Sequence, residues 1–242
     1  EGLLGWVLLL LLLLLGLLLL LRGTLWAGSA STPKAVLLLG LPGAGKTLLF
    51  SKLIRGTERH FQTATSVEEN VTKEPLHPSL VAQLPPATQQ RRVHLYDFPG
   101  NRRLLSRMQD TLSQAAVLVV VVDSSTVEQG ETLSQLATLL FDVFHHEDIV
   151  NKNPPVLFVC NKCDQPKSLS PEDVREILLE EMEQQSETRA AQLADLTEAT
   201  RVGGKTIASG FVKRGEWISS SALANMNLSE VASFILKHAP AC

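Results

Sequence analysis

The chain has 242 residues, 45% of them hydrophobic, which suffices for one ordinary domain with an appendage but not for two comfortable domains. With 22 basic and 25 acidic residues its formal net charge is -3, so it lacks the basic footprint of a nucleic-acid-binding protein. Its three cysteines are too few for a disulfide framework and favour a reducing compartment.

The first segment is almost pure leucine and carries no charge from Gly2 to Leu21. At about 1.5 Å per helical residue, this length matches a hydrocarbon core of about 30 Å. The sequence therefore predicts a transmembrane helix over residues 1–22. A secretory signal peptide is the alternative, since residues 27–30 are small enough for a cleavage site, but the apolar run is long and no basic residues precede it.

Basic residues follow this segment, at Arg22 and Lys34, whereas only Glu1 precedes it. The positive-inside tendency then places the rest of the chain in the cytoplasm. Residues 23–33 are mostly small or polar and are predicted to be a linker. The remaining residues, 34–242, are predicted to form one domain.

The phosphate-loop motif follows an apolar run, Lys34 to Leu39, which predicts a buried parallel strand. The next residues, GLPGAGKT, satisfy G-x-x-x-x-G-K-[ST] at every position, and a helix with one apolar stripe is predicted up to Gly56. Such a loop turns its N–H groups toward phosphate oxygens at a helix N-terminus. The predicted nucleotide contacts are Gly40, Leu41, Pro42, Gly43, Ala44, Gly45, Lys46, Thr47 and Leu48.

The stretch between Gly56 and Gln90 is polar, rich in proline and poorly periodic. Such a length without clear secondary structure is typical of a functional or mobile loop. Residues Arg92 to Tyr96 then predict a strand that runs directly into DFPGN, residues 97–101.

Later elements alternate between strands and helices. The run AAVLVVVV predicts a central strand buried on both faces. Together these elements predict an α/β fold with a mostly parallel sheet and helices on both faces. The predicted elements are a strand over Ala115–Val122, helices over Gly130–His146 and Ser170–Leu196, a helix extension and loop within Arg189–Ser209, a strand over Glu216–Ser219, and a helix over Leu228–His238.

The motif NKCD, residues 161–164, directly follows the buried run VLFVC. A carboxylate there, Asp164, can accept two hydrogen bonds from guanine, whereas adenine offers no such pair of donors. Asn161 is expected to contact the base and tie loops together, and the Lys162 stem to lie along the base or ribose. This motif argues against an ATPase or kinase. Cys160 ends the buried strand and Cys163 occupies the variable third position of NKCD, so their CxxC spacing does not require a zinc site.

The segment SSAL follows the last predicted strand. Ser221 and Ala222 fall where a guanine-specific fold needs a backbone N–H for the O6 carbonyl.

The motifs GLPGAGKT, DFPG, NKCD and SSA, in this order, resemble those of the Ras-like small GTPases over residues 34–242. The amino-terminal span, the proline of DFPG, TATS (63–66) and VVDSS (121–125) further resemble the beta-subunit family of the signal recognition particle receptor. The resemblance implies GTP and Mg²⁺ as cofactors, the receptor's alpha subunit as partner, and the ribosome or translocation machinery as neighbours. It also implies the endoplasmic reticulum membrane, with the GTP-binding domain in the cytoplasm.

The resemblance also implies roles in two switches. Thr65, or Thr63 as the alternative, is expected to reach magnesium, together with Thr47 and, through a water, Asp97. Gly100 is expected to supply the N–H that senses the terminal phosphate.

Asn101 occupies the position where Ras-like hydrolases usually carry a glutamine that orients the attacking water. Asparagine is one methylene shorter, and a displacement of about 1 Å can cost roughly a hundredfold in rate. We therefore expect slow intrinsic hydrolysis and leave open whether the chain acts as an enzyme. The alternative is an Arf-like trafficking GTPase with a full hydrolysis cycle.

Overall fold

The apolar runs of the sequence form one sheet in a computed structural model of the chain. Within the described residues its order is β2-β3-β1-β4-β5-β6. Neighbouring strands are parallel except β2 and β3, which are antiparallel. The strands are β1 (Ala35–Leu39), β2 (Asn70–Thr72), β3 (His94–Asp97), β4 (Ala115–Asp123), β5 (Val156–Asn161) and β6 (Glu216–Ser219).

Helices cover both faces of this sheet, as the sequence predicts, because each central strand is apolar at consecutive positions. In β4, Val120 and Val122 face one hydrophobic core, whereas Val119 and Val121 face the other. The helices are α1 (Lys46–Arg55), α2 (Pro78–Val81), α3 (Pro86–Gln89), α4 (Gly130–Phe144), α5 (Glu147–Lys152), α6 (Pro171–Leu196), α7 (Ile207–Arg214) and α8 (Leu228–His238).

The two cores are built from different helices. Helices α4, α6 and α7 supply one core with side chains such as Leu140, Leu178 and Phe211. Helices α1 and α8 supply the other with side chains such as Leu53 and Ile235. Since all these residues are at most 1% exposed, the sheet separates two closely packed hydrophobic cores.

Three parts of the chain differ from the sequence predictions. The stretch before Gln90, predicted to lack clear structure, contains β2, α2 and α3, whose helices begin at prolines with fixed φ. The helix predicted to reach His146 ends at Phe144, and α5 begins after the extended backbone of His146. The predicted loop before Ser209 instead contains the beginning of α7, at Ile207.

The structure describes residues 34–58, 69–100, 111–196 and 207–240. The chain divides into two units, Glu1–Thr32 and Pro33–Cys242. The predicted membrane span (residues 1–22) and linker (23–33) lie outside the described residues. None of the helices that are described is both long and apolar enough to cross a membrane.

Candidate nucleotide-binding site

The loop between β1 and α1 is shaped by glycines in backbone conformations that other residues rarely adopt. Gly45, at the start of α1, has φ of 94°. A Cβ there would lie 2.2 Å from Asn161 Nδ2, and a Cβ on Gly40 would lie 2.2 Å from Val121 O. Only glycine permits both the turn and these approaches, and the helix N-terminus behind the loop favours an anion.

Lys46 is the first residue of α1 and is only 6% exposed. Its Nζ donates a hydrogen bond to Leu41 O at 2.9 Å, within the same loop. Burial lowers the pKa of Lys46 from 10.5 to about 8, although Asp97 opposes this shift. The loop therefore holds a poorly solvated cation, which an added phosphate would stabilise.

Thr47 and Asp97 meet beside this loop and form an oxygen-rich site. Thr47 Oγ1 donates to Asp97 Oδ2 at 2.7 Å. Asn70 Nδ2, from β2, donates to the same oxygen at 2.9 Å. Burial raises the pKa of Asp97, against the opposing effect of the Thr47 and Asn70 hydrogen bonds and of nearby Lys46.

The other carboxylate oxygen of Asp97, Oδ1, is buried without a hydrogen-bond partner among the described residues. A hard divalent cation such as Mg²⁺ takes carboxylate and hydroxyl oxygens as ligands, so the donors of Thr47 and Asp97 fit the predicted metal site. Asn70 was missed by the sequence analysis, since nothing in its neighbourhood signals a contact with Asp97.

The DFPG segment lies directly against the phosphate loop. Phe98 N donates to Leu38 O at 3.3 Å, which continues the alignment of β3 with β1. A Cβ on Gly100 would lie 2.3 Å from Pro42 N and 2.5 Å from Leu41 C. Gly100 therefore has no room for a side chain.

Asn161 connects three predicted motifs. It is 3% exposed, and its Nδ2 donates to Ala44 O at 2.7 Å, in the phosphate loop. Its Oδ1 accepts a hydrogen bond from Ala222 N at 2.9 Å, in the SSAL segment. The amide side chain thus joins both loops to the end of β5, as the sequence analysis expected, whereas its contact with the base stays a prediction.

Comparison with known proteins decides the family. A family model for the signal recognition particle receptor beta subunit matches residues 31–216. The chain belongs to this beta-subunit family. A relative from Dictyostelium discoideum, signal recognition particle receptor subunit beta, is 28% identical over 160 residues, which is 64% of this chain and 49% of that protein. The chain spans about half the length of the curated relatives it matches.

Solved structures of the receptor share the fold. The structure of the mammalian signal recognition particle receptor aligns with a TM-score of 0.61 at 22% identity, over 84% of this chain and 99% of the other. The SRb-GTP/SRX complex from Chaetomium thermophilum aligns with a TM-score of 0.61 at 19% identity, over 86% and 99%. These neighbours establish the α/β GTPase fold of the chain.

In the SSAL segment of this beta-subunit-family chain, both predicted residues make hydrogen bonds within the chain. The Ala222 N–H donates to Asn161 Oδ1. Ser221 shapes the same loop, since its backbone exchanges hydrogen bonds with Met226 at 2.9 and 3.2 Å and its Oγ accepts from Ala224 N at 2.9 Å. The backbone N–H expected to contact the guanine O6 stays a prediction.

The amino group of Lys162 is bound by Asp123, a residue to which the sequence analysis gave no role of its own. Lys162 has φ of 66°, and its Nζ lies 2.5 Å from Asp123 Oδ2. Burial raises the pKa of Asp123, but hydrogen bonds from Lys162 and Ser125 outweigh it, so the pKa lies below its usual value. Asp164, by contrast, is exposed just beyond this pair.

Cys160 and Cys163, the two cysteines within the described ranges, carry no reactive signature. Burial raises the pKa of Cys160 to about 12 and also raises that of Cys163, and both thiols are free. No cluster of three or more His, Cys, Asp or Glu side chains in the described ranges could hold a metal ion. The thiols therefore remain protonated at neutral pH.

The remaining predicted site residues, Thr65 with its alternative Thr63, and Asn101, lie outside the described residues. Their assignments to magnesium and to the attacking water stay predictions.

Proposed function

We propose that this chain is the membrane-anchored, GTP-binding subunit of a signal recognition particle receptor, which docks the receptor's alpha subunit for co-translational protein targeting. The observation that supports this most is the Asn161 side chain, which joins the phosphate loop to the base-recognition loops. A solved neighbour is named as a complex of SRb with GTP and SRX, which supports the same function.

Phosphates would bind at the loop between β1 and α1. The glycine-shaped backbone would direct its N–H groups at them, and the Lys46 ammonium would exchange its contact with Leu41 O for a phosphate oxygen. Thr47 and Asp97 would hold Mg²⁺, which supplies positive charge to the outer phosphates. Because Asp97 Oδ1 is buried and unpartnered within the described part of the chain, this carboxylate is the one best placed to gain from a cation.

The base would be recognised at the end of β5. Asp164 would accept hydrogen bonds from two guanine donors, and the Lys162 stem would lie against the base. Buried Asn161 would keep this loop in register with the phosphate loop. Specificity for guanine over adenine follows from the carboxylate of Asp164.

Gating would depend on the contact between DFPG and the phosphate loop. Gly100 lies against Leu41 and Pro42, so its N–H can report on a terminal phosphate held by that loop. Thr65 would order the first switch through magnesium. Because Asn101 is shorter than glutamine, hydrolysis would be slow and the GTP-bound form would persist for docking.

The predicted span of residues 1–22 would anchor the chain in the endoplasmic reticulum membrane with its GTP-binding domain in the cytoplasm. The alpha subunit would bind the ordered switches there, with the ribosome and translocation machinery as neighbours.

The variant Asp164→Asn tests this proposal. An amide presents one acceptor and one donor group, so it loses the pair of acceptors for guanine and gains a donor that suits xanthine. We expect GTP affinity to fall about a hundredfold and xanthosine triphosphate to bind instead. Equilibrium titration of the full chain in detergent with fluorescent nucleotides measures both.

The matched control is Asp142→Asn, which removes the same charge from an exposed position on α4. Its GTP affinity should equal that of the wild type. Unchanged GTP affinity in Asp164→Asn would contradict the base-site assignment, and tight adenine-nucleotide binding by the wild type would contradict the proposed function.

A further inference from the structure

Asp123 and Lys162 lie side by side at the edge of the sheet where the strands end. Strands β4 and β5 are parallel, and their register pairs Asp123 with Asn161, the residue before Lys162. The Lys162 ammonium therefore reaches Asp123 Oδ2 at 2.5 Å. The pair connects the end of β4 to the loop proposed to recognise guanine.

Asp123 is itself held in place. Its Oδ1 accepts hydrogen bonds from Ser125 N at 3.1 Å and from Ser125 Oγ at 2.6 Å. Its side chain is 13% exposed, whereas that of Lys162 is 30% exposed. With both carboxylate oxygens engaged, Asp123 presents a fixed, partly desolvated acceptor to the lysine.

The backbone beside Asp123 holds the same loop. Ser124 N and Ser124 Oγ donate to Asn161 O at 3.0 and 2.7 Å. Leu169 N, beyond the loop, donates to Ser124 O at 2.9 Å. The segment from Asp123 to Ser125 therefore binds the beginning of the NKCD loop through both main-chain and side-chain hydrogen bonds.

We propose that Asp123 is a positioning residue for the nucleotide base: it holds Lys162 in the conformation in which the lysine stem covers the base. This inference rests on the proposed function. Lysine has a long, flexible stem, and fixing it at the moment of binding costs conformational entropy. The ion pair orders the lysine stem before the base binds, so less conformational entropy is lost on binding.

A double-mutant cycle tests the inference. The variants are Asp123→Asn, Lys162→Met and the double mutant of the full chain in detergent, and the measurement is the dissociation rate of GDP carrying a fluorescent group on its ribose. Each single variant should release the nucleotide about tenfold faster, as expected for one side chain that is no longer preordered. The double mutant should release it no faster than either, because Asp123 acts through Lys162.

Two further variants complete the design. Asp123→Glu keeps the anion and should restore part of the slow release. Asp148→Asn removes the acid of another ion pair, Lys152 Nζ to Asp148 Oδ1 at 2.9 Å, and should leave the rate unchanged. Unfolding temperatures of all variants monitor the fold.

Additive effects in the double mutant, or wild-type release from Asp123→Asn, would overturn the inference. A third pattern would also overturn it: Asp123→Asn releases the nucleotide fast and has a lowered unfolding temperature, whereas Lys162→Met releases it at the normal rate. That pattern would indicate that Asp123 has only a structural role. A wild type that binds no guanine nucleotide would instead contradict the proposed function, and this inference with it.

Discussion

At the scale of single residues, the phosphate loop contains a buried lysine whose ammonium group is poorly hydrated. Lys46 is 6% exposed, and burial lowers its pKa to about 8, whereas the unfolded chain keeps a value near 10.5. Between these values the unfolded chain binds more protons than the folded one. This group therefore makes the free energy of unfolding rise with pH across that window.

The same residue predicts how nucleotide binding depends on pH. A bound phosphate raises the pKa of Lys46, so binding favours the protonated lysine. Affinity for GTP with magnesium should be constant near pH 7 and fall above pH 8, by up to about tenfold per pH unit, while the phosphate charge is already constant. Equilibrium titrations of the full chain between pH 7 and about 9, below the range in which the guanine N1–H ionises, measure this.

Lys46→Arg is the control for that profile. Arginine stays charged over the whole range, so this variant should bind more weakly but without the decline. A flat wild-type profile up to about pH 9 would show that burial does not desolvate the lysine.

Gly100 predicts a second effect of a single residue. In Gly100→Ala the new methyl would meet backbone atoms of Leu41 and Pro42, at 2.5 and 2.3 Å, and neither can move as a side-chain end could. The DFPG segment should shift away from the phosphate loop, so we expect GTP affinity to fall about tenfold, while GDP affinity changes less. Competition titrations with both nucleotides measure the ratio.

Gly130→Ala provides a matched glycine at the start of α4, where a Cβ would meet nothing within 4 Å. It should bind both nucleotides like the wild type. Equal losses of GTP and GDP affinity in Gly100→Ala would indicate a general distortion of the loop rather than a sensor of the terminal phosphate.

At the scale of secondary-structure elements, the sequence predicted those with a long, unbroken pattern. The final helix, Leu228–His238, has the predicted bounds, because its apolar positions repeat at helical spacing and Pro240 follows. Helix α7 was missed because it has only eight residues and Gly210, a poor helix former, lies within its sequence. Strand β2 was missed because its three residues gain their place only by pairing with β3.

The candidate site divides in the same way. Motif residues such as Lys46, Thr47 and Asn161 were predicted, because a fixed spacing carries their chemistry. Asn70 and Asp123 could not be predicted, because strand register alone brings them to the site, opposite Asp97 and Asn161 respectively. Local sequence does not contain that register.

Helix α7 also predicts a stability effect. Phe211 is 1% exposed and stacks on Phe144, with ring centroids 4.7 Å apart. Phe211→Ala should lower the free energy of unfolding by about 3–5 kcal/mol, because it leaves a cavity in a packed core. Urea denaturation of the purified chain measures this loss.

Ile207→Ala, on the same helix, is the comparison, since Ile207 is 49% exposed. It should change the free energy of unfolding by no more than about 0.5 kcal/mol. Similar losses in both variants would mean that α7 contributes through helix formation rather than through the Phe211 contact.

At the scale of the whole molecule, the GTPase fold and an amino-terminal apolar segment are encoded in one chain. The family match begins at residue 31, beyond the end of that segment at Leu21. The composition of the apolar segment alone supports the proposed anchor, because about 20 consecutive apolar residues suffice to span a bilayer.

Alkaline carbonate extraction tests the anchor. The full chain should stay in the membrane pellet, whereas a variant lacking residues 1–22 should move to the supernatant, since only an integral protein resists extraction. A variant with two leucines of the span replaced by arginine should also be released, because each buried charge costs about 3 kcal/mol in insertion. Release of the full chain would contradict a membrane span.

The alternation of β4 between two cores limits how the chain can evolve. Val119 and Val120 are neighbours in sequence, yet each is packed into a different interior. Exchanging one aliphatic side chain for another disturbs a single core and leaves the other intact. Inserting or deleting one residue would send every later side chain of the strand to the wrong interior. We therefore expect descendants of this chain to vary freely in the identity of these aliphatic residues but hardly at all in the length of the strand.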